Sequence, residues 1–470
     1  MSEPSGGWPE EYFVERSMLL KGCSPIRAEA LVRFRVGHAV RLSRGTRRSP
    51  SGGSMTAPVQ PRGRIRSFGF AVVGLGAFTL TASSSAPSPL YPVYQQMWGF
   101  SAAMLTVVFA VYVLALLAAL VTVGSLSDHV GRRPVIVTAL LLLAASMVVF
   151  IASPGVGWLI VARILQGLAV GAATSALAAA VIEMQPNRHI GPLINTAAPS
   201  LGLALGAAGA GVLVQFAPLP TVLSYAVVGV LAVVLAIALI FVPETSPSVG
   251  FPSRRDALRS LVPSASVPRE VRGRYLLILP SLMSAWALGG LYMSLGPSIV
   301  DSVFGIDNRL AAGLAIGTLF TAGTVAATTT ARRDPHRIVI LGAVLLATGL
   351  AAVITALLTG WVAAYYAGTA VAGFGWGSTF VAAMGVVGSL GRPHERGRIF
   401  ATTFVVCYFA FSVPAMAAGA AAGSFGLMST AVGYGVVVAV LALVAGVGVL
   451  VRKPKPDSAG MREVPVPARS

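Results

Sequence analysis

Twelve stretches of this chain are apolar for about twenty residues or more: roughly 68–90, 102–124, 134–153, 156–182, 192–216, 220–242, 275–298, 308–331, 338–359, 361–388, 399–421 and 424–451. About twenty apolar residues is the length a helix needs to cross the hydrocarbon core of a bilayer. Amides inside lipid must be satisfied within their own segment, so runs of this length predict helices. The expectation is an all-α integral membrane protein with twelve transmembrane helices. Only 11% of the 470 residues are charged, against about a quarter in a soluble domain. So little water-facing sequence leaves no room for a large soluble catalytic domain.

The net charge of +18 raises the question of nucleic acid, and its distribution answers it. All of the 34 lysines and arginines except Arg163 and Arg309 fall in the N-terminal tail, the loops from even to odd spans, or the C-terminal tail. The opposite loops ("SPGVG", "QFAPLP", "LTGW", "AGSFG") are short and nearly uncharged. That alternation predicts both termini in the cytoplasm of a multi-pass inner-membrane protein. Anionic lipid, rather than nucleic acid, is the partner expected for the basic loops. Cys23 lies in the tail and Cys407 inside the eleventh run, so no disulfide is expected. Neither has a His or Cys at metal-ligand spacing, and no metal or cofactor is expected.

The spans divide six and six around a polar stretch. The expected organisation is a cytoplasmic tail over 1–66, a six-helix bundle over 67–243, a central loop over 244–274, a second bundle over 275–451 and a tail over 452–470. The halves read as weak repeats: "GLAVGAA" from Gly167 faces "GTAVAGFGWG" from Gly368, and Pro199 in span five faces Pro414 in span eleven. Two duplicated six-helix bundles are a transporter architecture, with the cargo site between them near mid-membrane. Residues 1–66 are not a signal peptide, whose apolar region would lie near its start. Two readings stand for this tail: disorder, or translation from Met55 after "SGGS", with 1–54 outside the protein. A native N-terminal peptide containing Trp8 excludes the second.

Between spans two and three stands "GSLSDHVGRRP", residues 124–134. It resembles the signature loop of the major facilitator superfamily, G-x-L-x-D-x-x-G-R-[RK], matching at Gly124, Leu126, Asp128, Gly131, Arg132 and Arg133. "RILQGLAVG" in span four is similar to the R-x-x-Q-G pattern of that superfamily's proton-coupled antiporters, through Arg163, Gln166 and Gly167, and "VPET" at 242–245 is another recurrent feature. The resemblance covers about 67–452. Gly124 lets helix two end close to its neighbours and Gly131 permits a tight turn. Asp128 can cap the positive end of another helix, which the resemblance implies is the eleventh. Arg132 and Arg133 are expected to meet Glu183. The cluster then acts as a latch for one of two conformations, or it only anchors the loop at headgroups.

Arg163 is the one charge clearly within a span, where an arginine costs about 2.5–3.5 kcal/mol on insertion scales and marks a functional site by default. Gln166, Gly167, Gly171 and Thr174 follow on the same helical face. Arg163 with Gln166 and Thr174 is therefore the candidate coupling or substrate group, unless Arg163 only reaches for the outer headgroups. Gly167, Gly171, Gly202, Gly206, Pro199 and Pro414 are the expected packing and hinge positions. Tyr365, Thr369, Trp376 and Phe380 share a face of span ten and, with Tyr292 and Tyr408, are the candidate cavity lining. No Asp, Glu or His lies well inside any span, so cationic cargo is disfavoured and any proton must use Asp128, Glu183, Asp301 or Asp307 near the edges.

The expected function is proton-driven export of a small neutral or anionic organic compound by a monomer using alternating access. Uptake of a sugar or organic acid is the rival within the same fold. An intramembrane enzyme would need paired acids or histidines in the membrane, and all five histidines fall in loops or tails. A non-transporting receptor stays open. No G-x-x-x-x-G-K-[ST] loop is present for direct ATP drive.

Overall fold

The structure is a computed structural model that describes residues 63–123, 127–187, 190–246, 266–392 and 395–451. Met55, both tails, most of the central loop and Gly124 lie outside these residues, as does the side chain of Asp128. Twelve helices long and apolar enough to cross a membrane occur among the described residues, with no strand. They are α1 (Gly63–Ser85), α2 (Ala102–Val123), α3 (Arg132–Ile151), α4 (Val156–Met184), α5 (Ile190–Phe216), α6 (Pro220–Ile240), α7 (Arg272–Ser294), α8 (Arg309–Thr330), α9 (Pro335–Thr359), α10 (Val362–Ser389), α11 (Arg396–Phe425) and α12 (Leu427–Val451). Local chemistry sets the helix ends. Asn308 caps α8 by accepting from the Ala311 amide at 3.0 Å, and Asp334 caps α9 by accepting from His336 at 3.1 Å. Gly360, at φ +68°, ends α9 in the left-handed conformation that glycine adopts without cost.

The packing of the first six helices recurs in the last six. α1 lies on α5 as α7 lies on α11; α2 and α3 lie on α4 as α8 and α9 lie on α10; and α3 lies on α6 as α9 lies on α12. The two bundles meet along α2–α11 and α5–α8, which are themselves equivalent under the same exchange. Small residues allow these approaches. A Cβ on Gly313 of α8 would lie 2.5 Å from the Ala207 carbonyl oxygen of α5, and one on Gly211 would lie 2.7 Å from that of Arg309. Apolar side chains such as Val230, Val234 and Ile237 on α6 and Val437 and Val444 on α12 remain exposed, as helices facing lipid require.

Spans one and seven depart from simple rods. The first does not run unbroken to residue 90: α1 stops at Ser85, a short 3-10 turn covers Ser88–Leu90, and a separate helix runs Tyr91–Trp98. α7 likewise gives way to a short helix Gly296–Ser302. The cause is proline, which lacks an amide hydrogen and resists the helix interior: Pro87, Pro89 and Pro92 in one case, Pro297 in the other.

Candidate functional site

The break in α1 explains the buried polar centre of the first bundle. Within a continuous helix the Ser83 carbonyl would accept from residue 87, but Pro87 has no amide hydrogen to give. α4 supplies the missing donors from one face. Gln166 Nε2 donates to the Ser83 carbonyl at 2.7 Å, and Arg163 Nη1 donates to the Ser84 carbonyl at 3.1 Å. Arg163 Nη1 also donates to Gln166 Oε1 at 2.8 Å, while Nη2 donates to the Tyr91 hydroxyl just beyond the break. Tyr112 of α2 closes the ring by donating to Ser84 Oγ at 2.8 Å. The guanidinium lies 5.4 Å from the Tyr91 ring centre, 5.2 Å from that of Tyr112 and 5.9 Å from that of Phe150, so aromatic faces stand where solvent would otherwise solvate it. Arg163 is 0% exposed. It reaches neither headgroup nor the joint between bundles. Thr174 is not part of this network: it is exposed, and its hydroxyl donates to the Val170 carbonyl one turn earlier. Gly167 and Gly171, on the same helix, abut the Tyr112 and Leu116 carbonyls of α2, and Gly202 and Gly206 abut α1.

A second polar cluster sits at the helix ends that carry loop two–three. Gly131 adopts φ +106° and is buried. The carboxylate of Glu244, in "VPET", accepts from the Arg132 amide at 2.9 Å and the Arg133 amide at 3.0 Å. It thus caps α3, where a negative charge meets the positive end of the helix. Arg132 bonds Ser127 Oγ at 2.7 Å and pairs with Glu183 at 3.4 Å. Arg133 does not join Glu183; its side chain donates to the Val242 carbonyl at 3.4 Å. These partners all belong to the first bundle. Sequence reasoning quoted Glu244 without a role, because its partner is a backbone terminus that becomes visible only in three dimensions.

The candidate cavity residues separate into two groups. Tyr292, Tyr365 and Thr369 lie inside the second bundle, near the end opposite the central loop. The Tyr292 and Thr369 hydroxyls are 2.7 Å apart, the two tyrosine rings stack at 6.4 Å, and none is more than 3% exposed. Midway along the helices, Trp376 stacks on Phe380 at 5.9 Å and meets Phe320 edge-on at 5.1 Å. Phe380 continues to Trp286 at 6.2 Å, which meets Tyr408 at 4.8 Å and Phe411 at 5.7 Å. Phe411 crosses to Phe109 of the first bundle at 5.2 Å. Trp286 and Phe411 were missed because nothing in the sequence sets them apart from the other aromatics of their helices, such as Tyr275 on α7 and Phe404 and Phe409 on α11. Pro199 and Pro414 lie within α5 and α11.

Three hydrogen bonds join the two bundles among the described residues, all at the end opposite the central loop. Ser88 Oγ donates to the Met293 carbonyl at 2.9 Å, Ser298 Oγ to Gln95 Oε1 at 3.4 Å, and the Arg309 amide to Gln215 Oε1 at 2.8 Å. The two broken spans therefore meet each other at their breaks. Arg309 also pairs with Asp301 at 2.9 Å and Asp307 at 2.6 Å. The bundles are sealed at this end. Among the described residues no group of three His, Cys, Asp or Glu side chains is placed to hold a metal.

The family model described as Major Facilitator Superfamily matches residues 73–415. Among solved structures, the chain is similar to a bacterial homolog of the human lysosomal transporter Spinster, in an inward-facing and unoccupied conformation. The identity is 15%, the TM-score 0.67, and the match covers 86% of this chain and 100% of that one. At that identity the likeness speaks for the fold alone.

Proposed function

Because the chain belongs to the major facilitator superfamily, and is thus a multi-pass membrane protein of a transporter family, we propose that it exports a small neutral or anionic organic compound by alternating access, driven by the proton gradient. The observation that carries this reading is the seal at the end opposite the central loop. Hydrogen bonds tie the bundles together at the end of Ser88, Gln215 and Arg309, while an aromatic cluster stands at their joint midway across. Rocking about that level would open the sealed end and close the other. The described arginines of loops two–three, six–seven, eight–nine and ten–eleven sit at the end opposite this seal, which supports a cytoplasmic location for that end and an inner-membrane setting.

No acid stands well inside a described span, Glu183 lying at the last turn of α4, so a cation would meet no countercharge at mid-membrane there. Protons act instead at the ends. Asp301 and Asp307 pair with the Arg309 side chain, and the Arg309 amide bonds Gln215 across the joint, so these two acids are the candidate proton-coupling groups at the sealed end. Asp128, Glu183 and Glu244 are the corresponding groups at the loop side. Arg163 serves by fixing the break in span one and not by touching cargo. The chain acts as a monomer with lipid as its surroundings.

Transport in inverted membrane vesicles tests the proposal, using labelled neutral, anionic and cationic compounds with and without a proton gradient. Gradient-driven accumulation of a neutral or anionic compound is the expected result. Accumulation of cations alone would overturn the charge reasoning, and movement only down a concentration gradient would favour uptake or facilitation.

A further inference from the structure

Two donors in the aromatic cluster have no partner. The indole N–H groups of Trp286 and Trp376 are covered by neighbouring atoms, yet each lacks an acceptor. Leaving a buried donor unpaired is unfavourable, and indole offers a donor only, so nothing in these side chains can satisfy the other. Both tryptophans lie midway along their helices, α7 and α10, where the second bundle meets the first through Phe411 and Phe109. Trp376 is held from behind: a Cβ on Gly323 of α8 would collide with its ring.

Taking the transport reading as its basis, we propose that this cluster is the cargo site and that its ligands are neutral, planar aromatic compounds carrying a hydrogen-bond acceptor such as a ketone or quinone oxygen. The rings of Trp286, Trp376, Phe380 and Tyr408 give a planar ligand surfaces on which to stack. The two indole N–H groups supply directional bonds, and only an acceptor can take them. A cation would gain from the ring faces but leave both donors unpaired. A full negative charge would need a cation beside it, and Arg163 is already enclosed by its own partners. Entry of the ligand parts rings that now cover the donors, so binding loosens the joint at the level about which the bundles rock.

The test pairs 9-fluorenone with fluorene, which has the same tricyclic frame without the acceptor, and adds N-methylacridinium as a cation of similar size. Equilibrium dialysis of the purified full-length protein measures binding, and flux of the same compounds is followed in proteoliposomes. The wild-type protein should prefer fluorenone to fluorene by about tenfold, the ratio that one hydrogen bond of about 1.4 kcal/mol produces. Trp286→Phe and Trp376→Phe keep a ring and remove the donor, so each should bring that ratio toward one while fluorene binding persists. Four results would overturn the inference: no preference in the wild type, preference for the cation, preference surviving in both variants, or loss of both compounds in both variants. Selective binding without flux would refute transport and leave the site standing. Flux without selectivity would do the reverse.

Discussion

At the residue scale, the chain's most unusual side chain solves a problem created by its least helical segment. "SSSAPSPLYP" places Pro87 where the Ser83 carbonyl needs an amide donor and breaks α1 there; Gln166 on α4 supplies the donor to Ser83, and Arg163 bonds the Ser84 carbonyl at the broken end. Hydrogen bonds involving a charged group are worth roughly 1.5–3 kcal/mol each. Arg163→Ala removes at least two of them and should lower stability by about 3 kcal/mol or more, read as a fall in the thermal midpoint of the purified protein. If the alanine variant were as stable as wild type yet lost transport, the arginine would instead be a coupling or cargo-binding group. The sequence exposed Arg163 as costly and therefore purposeful. Its purpose was not legible, because the carbonyl it serves lies about eighty residues away on another helix. Thr174 illustrates the converse: it shares a helical face with Arg163, but the face turns outward before reaching it.

At the element scale, close helix contacts and helix caps carry the structure. Gly171 sits against the Leu116 backbone of α2, and its Cβ would lie 2.9 Å from that of Ala119. Gly171→Val should therefore push α2 from α4 and prevent recovery of folded protein, whereas Gly209→Val, at a glycine with open space around it, should be recovered normally. Size-exclusion chromatography of the two variants distinguishes these outcomes. Glu244 caps α3 through two amides. Glu244→Gln weakens a charge–dipole contact worth about 0.3–1 kcal/mol and should leave the fold intact while loosening loop two–three, seen as faster amide exchange at Arg132 and Arg133. Unchanged exchange would show that the cap contributes nothing. Helix number and approximate bounds were legible because lipid fixes the length of a span. The breaks in spans one and seven were not, since both segments stay apolar through their prolines and hydropathy alone does not register a missing amide.

At the scale of the whole molecule, the exchange of α1–α6 for α7–α12 reproduces the packing within each bundle and also the two joints between them. The repeat was faintly visible in the paired Gly-rich segments and in Pro199 and Pro414. The seal was not, because Gln215, Ser88 and Arg309 carry no recognisable pattern and gain meaning only by meeting across the joint. The central claim is that this seal must open for cargo to pass. Ala208 and Gly317 face each other there, with 3.5 Å between the Ala208 Cβ and the position of a Cβ on Gly317, a separation that suits a disulfide. The most direct test is Ala208→Cys with Gly317→Cys, in protein whose Cys23 and Cys407 are replaced by serine, assayed for flux in proteoliposomes before and after reduction. Transport should be absent from the oxidised protein and return when the bridge is reduced. Equal flux in both states, with the bridge verified by mass spectrometry, would contradict alternating access through this joint.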